Sequence, residues 1–294
     1  MKAVLCTGGT GFIGRHVVKR LLAAGRVVYV TGREAVPPGA EHAADDFQKL
    51  SYPFIAANID TVIHLAAVTD TRAPDEEQWK TNGEDAAEFL RMCRESDVKR
   101  LVYASSCAVY GTAPIPFRES MTELQPLNAY GAAKALLDRL VSGWAVGLRF
   151  SNVFGPGEEH KGSAASMVYQ ITEAVRSGKR IELYRRCIRD LIDVDSVADA
   201  VLFAETIPNG VYNVAGGLSV DYRAVVDAVA YPLGIASDVD MLTIDNPCPV
   251  EFQEYTAVEC RKFTTAVEAA GGRWVPRHWR AALAEYVAAG FGIA

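Results

Sequence analysis

The chain has 294 residues, half of them hydrophobic, and a net charge of −6. This length and hydrophobic content predict a folded protein with a full core, either one large domain or a domain with a smaller lobe. Because no basic stripe accompanies the acidic balance, nucleic acid is not expected as a partner.

The chain shows no signal for a membrane or for secretion. Its first residues lack the apolar core and cleavage site of a signal peptide, and no run reaches about 18 uninterrupted apolar residues. Six cysteines are scattered without a C-x-x-C pair, which is typical of reduced thiols and not of a metal site. We therefore expect a cytoplasmic protein without a bound metal.

Short apolar runs alternate with segments of helical period in the first half of the chain. The predicted strands are 2–6, 27–31, 61–65, 100–104 and 145–150, and the predicted helices are 13–24, 84–95 and 129–142. This alternation predicts an α/β fold with a Rossmann-type doubly wound parallel sheet. The gap from Arg33 to Asp60 is short for a full strand-helix unit, so we expect that unit to be trimmed.

A glycine-rich segment lies between the first predicted strand and the first predicted helix. Residues 7–14 read Thr-Gly-Gly-Thr-Gly-Phe-Ile-Gly. Gly8 and Gly11 allow a tight turn that can approach a pyrophosphate, and Gly14 allows the helix to pack closely on the strand. Because the helix N-terminus would face the phosphates, the segment predicts an NAD(P) site.

The pattern loosens after Phe150. A loop at 155–157, a helix at 167–176 and a strand at 210–215 that returns to the sheet predict a smaller C-terminal lobe. The expected division assigns 1–150 plus about 188–215 to the NAD(P)-binding domain. It assigns 151–187 plus 216–294 to the substrate-binding lobe.

The end of the second predicted strand favours one cofactor. NAD sites usually carry an acidic residue there for the ribose hydroxyls, whereas this chain has Gly32 and Arg33. An arginine can pair with a 2′-phosphate that a carboxylate would repel. The sequence therefore predicts NADP, with NAD as the less favoured cofactor.

Tyr130 and Lys134 are spaced to share one face of a helix that is predicted to begin near Leu127 and to run through 129–142. The lysine cation would lower the pKa of the phenol, so that the tyrosine can exchange a proton with a substrate hydroxyl during hydride transfer. Ser105 and Ser106 follow the strand predicted at 100–104, where a sheet of this type gathers its ligand contacts. This combination predicts an acid-base centre beside the cofactor.

With these three motifs in this order, the chain resembles the extended short-chain dehydrogenase/reductase family over nearly its whole length. The resemblance implies that Ser106, Tyr130 and Lys134 are catalytic. The cofactor contacts that we expect are Gly8, Gly11, Phe12, Ile13, Gly14, Arg33, Asp46, Leu65, Ala66, Ala67, Asn82, Tyr130, Lys134 and Val153.

The segment 152–166 is similar to the corresponding loop of ADP-L-glycero-D-manno-heptose 6-epimerases. In those enzymes the loop lysine is a second acid/base, and Lys161 occupies its position. The resemblance implies an isomerase that oxidises C6 of a heptose to a ketone and reduces it again on the other face. Tyr130 and Lys161 would then exchange roles.

The same resemblance implies a nucleotide-diphosphate sugar as substrate. Guanidinium groups suit a diphosphate; we favour Arg189 for this role and expect Arg149 in a structural ion pair. The expected substrate contacts are Ser106, Asn152, Ser163, Gln170, Tyr184, Arg185, Arg189 and Phe252.

Departures from the heptose enzymes leave the substrate open. Gln170 stands where they carry a histidine, and Phe252 stands where they carry a tyrosine. Buried polar contacts of this kind discriminate strongly between substrates. A related heptose, or inversion at another carbon such as C4, remains an alternative.

Two other interpretations compete with this one. Cys107 and His160 suggest an epimerase-reductase of NDP-keto-sugars, but Cys107 falls one residue too early and is expected to be a buried thiol. A non-catalytic NADPH sensor is disfavoured because Ser106, Tyr130 and Lys134 are all intact. In each case we expect a homo-oligomer formed through helices of the sheet domain.

Overall fold

The computed structural model describes residues 3–185, 187–234, 239–245 and 253–290. Its strands are β1 Ala3–Thr7, β2 Val28–Thr31, β3 Glu41–Ala44, β4 Ile59–His64, β5 Arg100–Ser106, β6 Val146–Phe150, β7 Asn152–Phe154, β8 Ile181–Tyr184, β9 Ile188–Asp193, β10 Gly210–Val214, β11 Ser219–Asp221 and β12 Met241–Ile244. In this part of the chain seven strands form a parallel sheet in the order β3-β2-β1-β4-β5-β6-β10. This order confirms the predicted doubly wound sheet.

Helices cover both faces of this sheet. They are α1 Phe12–Ala23, α2 Tyr52–Asn58, α3 Asp75–Trp79, α4 Ala86–Glu95, α5 Ala129–Val141, α6 Met167–Ser177, α7 Val194–Phe203, α8 Tyr222–Ala230, α9 Arg261–Ala269 and α10 Trp279–Ala288. None of the helices in the described ranges is long and apolar enough to cross a membrane.

Burial on both faces explains why the strands read as continuous apolar runs. Val4 and Cys6 of β1 belong to the core shared with α1 and α7. Leu5 belongs to the core on the opposite face, shared with α4 and α5. Successive side chains of a strand point to opposite faces, so one short run supplies both cores.

The connection between β2 and β3 is trimmed, as the short gap predicts. No helix separates the two strands, and β3 lies at the edge of the sheet with partly exposed residues. A 3₁₀ turn at Phe47–Lys49 and the short α2 lead from β3 into β4. The missing helix leaves the loop after β2 open toward the carboxyl ends of the strands.

A second hydrophobic cluster lies in the C-terminal half. It joins α6, α8 and α10 through Ile171, Val225 and Leu283 among others. The predicted lobe boundary differs from the structure at α9, because Phe263 packs into the core of the central sheet with its ring 6.1 Å from that of Tyr212 on β10. Helix α9 therefore packs with the sheet.

Candidate active site

The glycine segment forms a tight turn between β1 and α1. Gly8 has φ +67°, and a Cβ there would lie 2.8 Å from the backbone nitrogen of Ala66. A Cβ on Gly14 would lie 2.0 Å from the carbonyl oxygen of Gly8, whereas one on Gly11 would meet only that oxygen, at 3.3 Å. Gly11 is also the N-cap of α1. The turn therefore has the open backbone and helix N-terminus that suit a pyrophosphate.

A cavity of about 500 Å³ extends from this turn. Most of the predicted cofactor contacts line it: Gly8, Gly11, Phe12, Ile13, Gly14, Arg33, Asp46, Leu65, Ala66 and Ala67. Val153 lines the adjoining smaller cavity. The residues present thus fit a dinucleotide, with its phosphates at the glycine turn.

Asn82 supports the wall of this cavity without lining it. Its side chain donates to the carbonyl of Val68 at 2.8 Å and accepts from the Val68 nitrogen at 2.9 Å. Asn82 is buried in the π-helical turn Lys80–Asp85, and is not among the residues that line either cavity. It fixes the loop after β4, which does line them.

The rim beside β2 holds both a cation and carboxylates. Arg33 is 80% exposed, and its Nη2 lies 3.2 Å from Oδ2 of Asp46. A Cβ at Gly32 would come within 1.9 Å of the Thr10 Oγ1, so the turn has no room for an acidic side chain at that position. Asp45 and Asp46 nevertheless bring carboxylates to this rim from the segment after β3.

A smaller cavity of about 270 Å³ adjoins the first one and contains all four predicted catalytic side chains. Ser106 comes from the end of β5, Tyr130 and Lys134 come from α5, and Lys161 comes from the 3₁₀ turn Glu159–Ala164. Lys161 lines both cavities. The structure therefore brings together residues that the sequence separates widely.

Helix α5 aims Tyr130 because Asn128 fixes where the helix begins. The Asn128 side chain accepts from the backbone nitrogen of Gly131 at 2.9 Å, which is an N-cap. The helix therefore starts at Ala129, two residues later than the predicted start near Leu127. Tyr130 then lies in the first turn, with its phenol close enough to the Ser106 side chain for the two groups to interact.

The prediction that Lys134 lowers the pKa of the Tyr130 phenol is wrong. Burial raises the pKa of Tyr130 above its usual value, and the interaction with the Ser106 side chain opposes this rise. Lys134 Nζ lies 6.0 Å from the centroid of the Tyr130 ring and donates to the Ala104 carbonyl at 3.0 Å. The ammonium is held by β5 and not by the phenol.

Sequence reasoning missed Asp138, one helical turn beyond Lys134. Burial lowers the pKa of Lys134 to about 8, and the Asp138 carboxylate opposes that effect. Asp138 accepts from Arg149 Nε at 2.8 Å and from the Tyr103 hydroxyl at 2.9 Å. The ion pair expected for Arg149 is present. The 130-134-138 spacing places Asp138 on the helix face of Tyr130 and Lys134, but it does not identify Arg149 as its partner.

Lys161 lies near an aromatic ring and two carboxylates. Its Nζ lies 5.7 Å from the centroid of the Phe12 ring, an arrangement that attracts a cation. Burial lowers the pKa of Lys161, while the carboxylates of Glu158 and Asp70 oppose this. Glu158 precedes Lys161 by only three residues, whereas no motif or spacing in the sequence indicates Asp70 as a neighbour.

The predicted substrate residues do not all meet in one place. Asn152 lines the smaller cavity, and its Nδ2 donates to the Asp190 carbonyl at 3.1 Å. Ser163 Oγ accepts from Arg72 at 3.0 Å, and Gln170 Nε2 donates to the Ala165 carbonyl at 2.9 Å. Both fasten the loop that carries Lys161.

The other predicted substrate residues lie farther along the chain. Arg185 is exposed and pairs with Asp245 at 2.9 Å. Arg189 is buried, and its Nη1 donates to the Glu254 carbonyl at 2.9 Å. With Tyr184, these residues are absent from the lining of both cavities, and Phe252 lies outside the described residues. Their substrate roles stay predictions.

Two comparisons with solved structures match this architecture. The ADP-L-glycero-D-manno-heptose-6-epimerase of Helicobacter pylori is 25% identical with a TM-score of 0.85, over 99% of this chain and 97% of that one. The UDP-glucose 4-epimerase of Thermus thermophilus, in a complex with NAD, is 30% identical with a TM-score of 0.83, over 97% of this chain and 98% of that one.

Sequence comparison points the same way. A curated relative, the ADP-L-glycero-D-manno-heptose-6-epimerase of Brachyspira hyodysenteriae, is 28% identical in an alignment of 293 positions, gaps included, that covers 90% of this chain and 91% of the relative. The pattern of the NAD dependent epimerase/dehydratase family matches residues 4–215. The resemblance predicted from the motifs is thereby confirmed. The chain belongs to the NAD dependent epimerase/dehydratase family and is an enzyme of the epimerase type.

Proposed function

We propose that this chain is an NADP-dependent epimerase of a nucleotide-diphosphate sugar, with an ADP-heptose as substrate and C6 as the inverted carbon. One observation carries the proposal. Tyr130 and Lys161, from a helix and a separate loop, line the same small cavity beside the glycine turn. Two acid/base groups at one cavity suit inversion through a ketone, because the oxygen can then have a proton partner in each orientation of the sugar.

The residues divide the chemistry as follows. A bound nicotinamide supplies a hydride acceptor and, later, the hydride donor. Of Tyr130 and Lys161, the group that is deprotonated at the start would take the proton of the sugar hydroxyl. After the ketone has turned in the cavity, the group that is protonated would give its proton to the new hydroxyl on the opposite face, and Ser106 would hydrogen-bond the sugar oxygen. Lys134 would hold the ribose of a bound nicotinamide.

The preference for NADP rests on Arg33. Its exposed guanidinium can turn from Asp46 to a 2′-phosphate, since an exposed pair of this kind contributes only about 0–1 kcal/mol. Arg33→Gln is expected to weaken NADP⁺ binding about tenfold or more and to leave NAD⁺ binding nearly unchanged. Calorimetric titration with both nucleotides tests this. An equal loss for both would refute the assignment.

The buried position of Cys107 speaks against the epimerase-reductase alternative. Its thiol is 3% exposed and donates to the Arg149 carbonyl at 3.4 Å. Burial raises the pKa of this thiol well above its usual range. A buried, neutral thiol cannot readily exchange protons with a sugar in the cavity.

The activity is tested with ADP-D-glycero-β-D-manno-heptose. The purified protein is first denatured to identify any released nucleotide, and the native enzyme is then incubated with the sugar while NMR follows C6 and C4. Inversion at C6 with NADP(H) as cofactor is the expected result. Inversion at C4 would keep the family and cofactor but move the assignment to another carbon, and no inversion would refute the heptose.

The role of Lys161 is tested by Lys161→Ala. The variant is expected to lose inversion by about 10²-fold or more, with cofactor binding retained, because one of the two proton partners is missing. Lys179→Ala, at an exposed lysine that follows α6, serves as the matched control and should behave as the unchanged enzyme. Full activity of Lys161→Ala would remove this lysine from the mechanism.

A further inference from the structure

The loop that carries Lys161 is closed at its base by one buried carboxylate. Glu158 is 0% exposed. Its Oε1 accepts from the backbone nitrogen of Gly155 at 3.2 Å and from the Ser166 hydroxyl at 2.8 Å, and its Oε2 accepts from the Ser166 nitrogen at 2.6 Å. The side chain thus joins the start of the loop to its end.

Both ends of this loop are anchored in the fold. Gly155 follows β7, and a Cβ there would lie 2.7 Å from Val194 Cγ1, so the backbone packs tightly on α7. Ser166 is the N-cap of α6, and its hydroxyl accepts from the Tyr169 nitrogen at 3.1 Å. A negative charge at the start of α6 is also favourable for the helix dipole. Glu158 therefore ties the loop to two rigid elements.

Glu158 is also close enough to Lys161 for the two charges to interact. Burial raises the pKa of the Glu158 carboxyl, and Lys161 opposes that rise; conversely, Glu158 opposes the lowering of the Lys161 pKa by burial. The backbone nitrogen of Lys161 donates to the Glu158 carbonyl at 3.0 Å. A buried ion is tolerated when it is hydrogen-bonded and faces a counter-charge, and Glu158 meets both conditions.

The other groups around Lys161 cannot replace this carboxylate as an anchor. Asp70, on the loop after β4, faces Lys161 but is bound to Arg72, which also donates to Ser163. These groups lie at the exposed rim. Phe12 lies beside the Lys161 ammonium, and within the described residues the other titratable side chains that line the same cavity are Tyr130, Lys134 and Tyr222.

We propose that Glu158 is a positioning residue, which holds Lys161 at the cavity that it shares with Tyr130 and supplies the buried counter-charge for its ammonium. This inference rests on the proposed function, since it assigns a support to the second acid/base. It goes beyond that function because it concerns a residue that touches neither sugar nor cofactor. The predicted consequence is that catalysis depends on Glu158 more strongly than substrate binding does.

The test compares Glu158→Gln with Glu159→Gln. Glu159 is the adjacent, exposed carboxylate, so its variant loses the same charge at the surface. Glu158→Gln is expected to lower kcat by about 10- to 100-fold with a much smaller change in KM, because a displaced acid/base group slows the chemical step. Glu159→Gln should keep both parameters. Equal, small effects of the two variants would overturn the proposal.

A second readout does not depend on activity. Lysines are reductively methylated with ¹³C-formaldehyde, and the Lys161 signal, identified by its absence in Lys161→Ala, is titrated by NMR. In Glu158→Gln the signal is expected to titrate at a lower pH than in the unchanged protein, because the buried negative charge is gone. Glu158→Asp, which keeps the charge but shortens the bridge, should restore the titration while kcat stays low.

The outcomes separate the two proposals. If the unchanged enzyme does not invert the heptose but Lys161 still titrates differently in Glu158→Gln, the substrate is wrong and the role of Glu158 stands. If the heptose is inverted while Glu158→Gln changes neither kcat nor the titration, the role of Glu158 is wrong. Should Glu158→Gln fail to fold, Ser166→Ala removes one of the three bonds to the Glu158 carboxylate together with the N-cap bond to the Tyr169 nitrogen; an unchanged kcat in that variant would then refute the positioning role.

Discussion

Two alanine substitutions in the glycine turn should fail in different ways. In Gly14→Ala the new Cβ would stand 2.0 Å from the Gly8 carbonyl oxygen and 2.7 Å from the Gly9 Cα. Both contacts are with backbone, so no side chain can move aside. In Gly11→Ala the new Cβ would meet only the Gly8 oxygen, at 3.3 Å, and Gly11 has a φ of −79° that alanine adopts without strain.

The expected magnitudes follow from these distances. Overpacking usually destabilises by about 1–3 kcal/mol, and an overlap of more than about 1 Å against backbone places Gly14→Ala at or above that limit. The helix propensity of alanine returns at most about 1 kcal/mol. A net loss of roughly 3 kcal/mol corresponds to a Tm lower by on the order of 5–10 °C. Gly11→Ala should lose less than about 1 kcal/mol, from the weaker N-cap.

Cofactor binding should be weakened in Gly11→Ala, although the stability of that variant barely changes. The Gly11 methyl group would project into the cavity that the glycine turn lines, where the pyrophosphate must approach the backbone. We expect NADP⁺ affinity to fall at least about tenfold, which is about 1.4 kcal/mol, at almost unchanged Tm. Thermal denaturation without cofactor and calorimetric titration separate the two effects. A Gly11→Ala protein that binds NADP⁺ normally would refute the placement of the phosphates.

Two further predictions concern the buried charges of α5. The pKa of Lys134 is lowered from 10.5 to about 8 in the fold, so the unfolded chain binds more protons between these values and stability rises with pH across that window. Lys134→Met, which is expected to be inactive, lacks this titration. Between pH 7 and pH 9.5 the free energy of unfolding should therefore rise by roughly 2 kcal/mol more in the unchanged protein than in Lys134→Met. Urea denaturation at both pH values checks this, and a constant difference would contradict it. Asp138→Asn leaves the guanidinium of Arg149 buried without its carboxylate and should destabilise by about 3–5 kcal/mol. A double variant, Asp138→Leu with Arg149→Met, should recover most of that loss in the same assay, and no recovery would show that the ion pair is not the cause.

Most strands of the central sheet could be predicted from the sequence, because a strand that is buried on both faces is a continuous apolar run. Edge strand β3 was missed, since Glu41–Ala44 is only partly buried and carries no apolar run. Helix α5 was predicted at 129–142 and spans Ala129–Val141; the start near Leu127 was two residues too early, because the Asn128 side chain caps the helix. Local chemistry of this kind shifts boundaries without changing the fold.

The supporting charges could not be predicted in the same way. Asp138 is visible as a partner only when β5 and β6 bring Tyr103 and Arg149 to α5. Glu158 is an ordinary loop residue in the sequence, and its burial depends on how Gly155 and Ser166 approach each other. Both residues acquire these roles through tertiary packing, and residues that meet in this way have no fixed separation in the sequence.

The two ends of the site differ in what determines them. The proposed cofactor end is formed by backbone, so the spacing of Gly8, Gly11 and Gly14 is enough to predict it. The sugar end is formed by side chains, whose hydrogen bonds can be used within the protein. Gln170 illustrates this, because its Nε2 donates to carbonyls of the loop that carries Lys161. A change at position 170 therefore alters both the hydrogen bonds that hold that loop and the groups that a sugar would contact. For this reason the resemblance of the chain to heptose enzymes predicts the reaction better than the substrate.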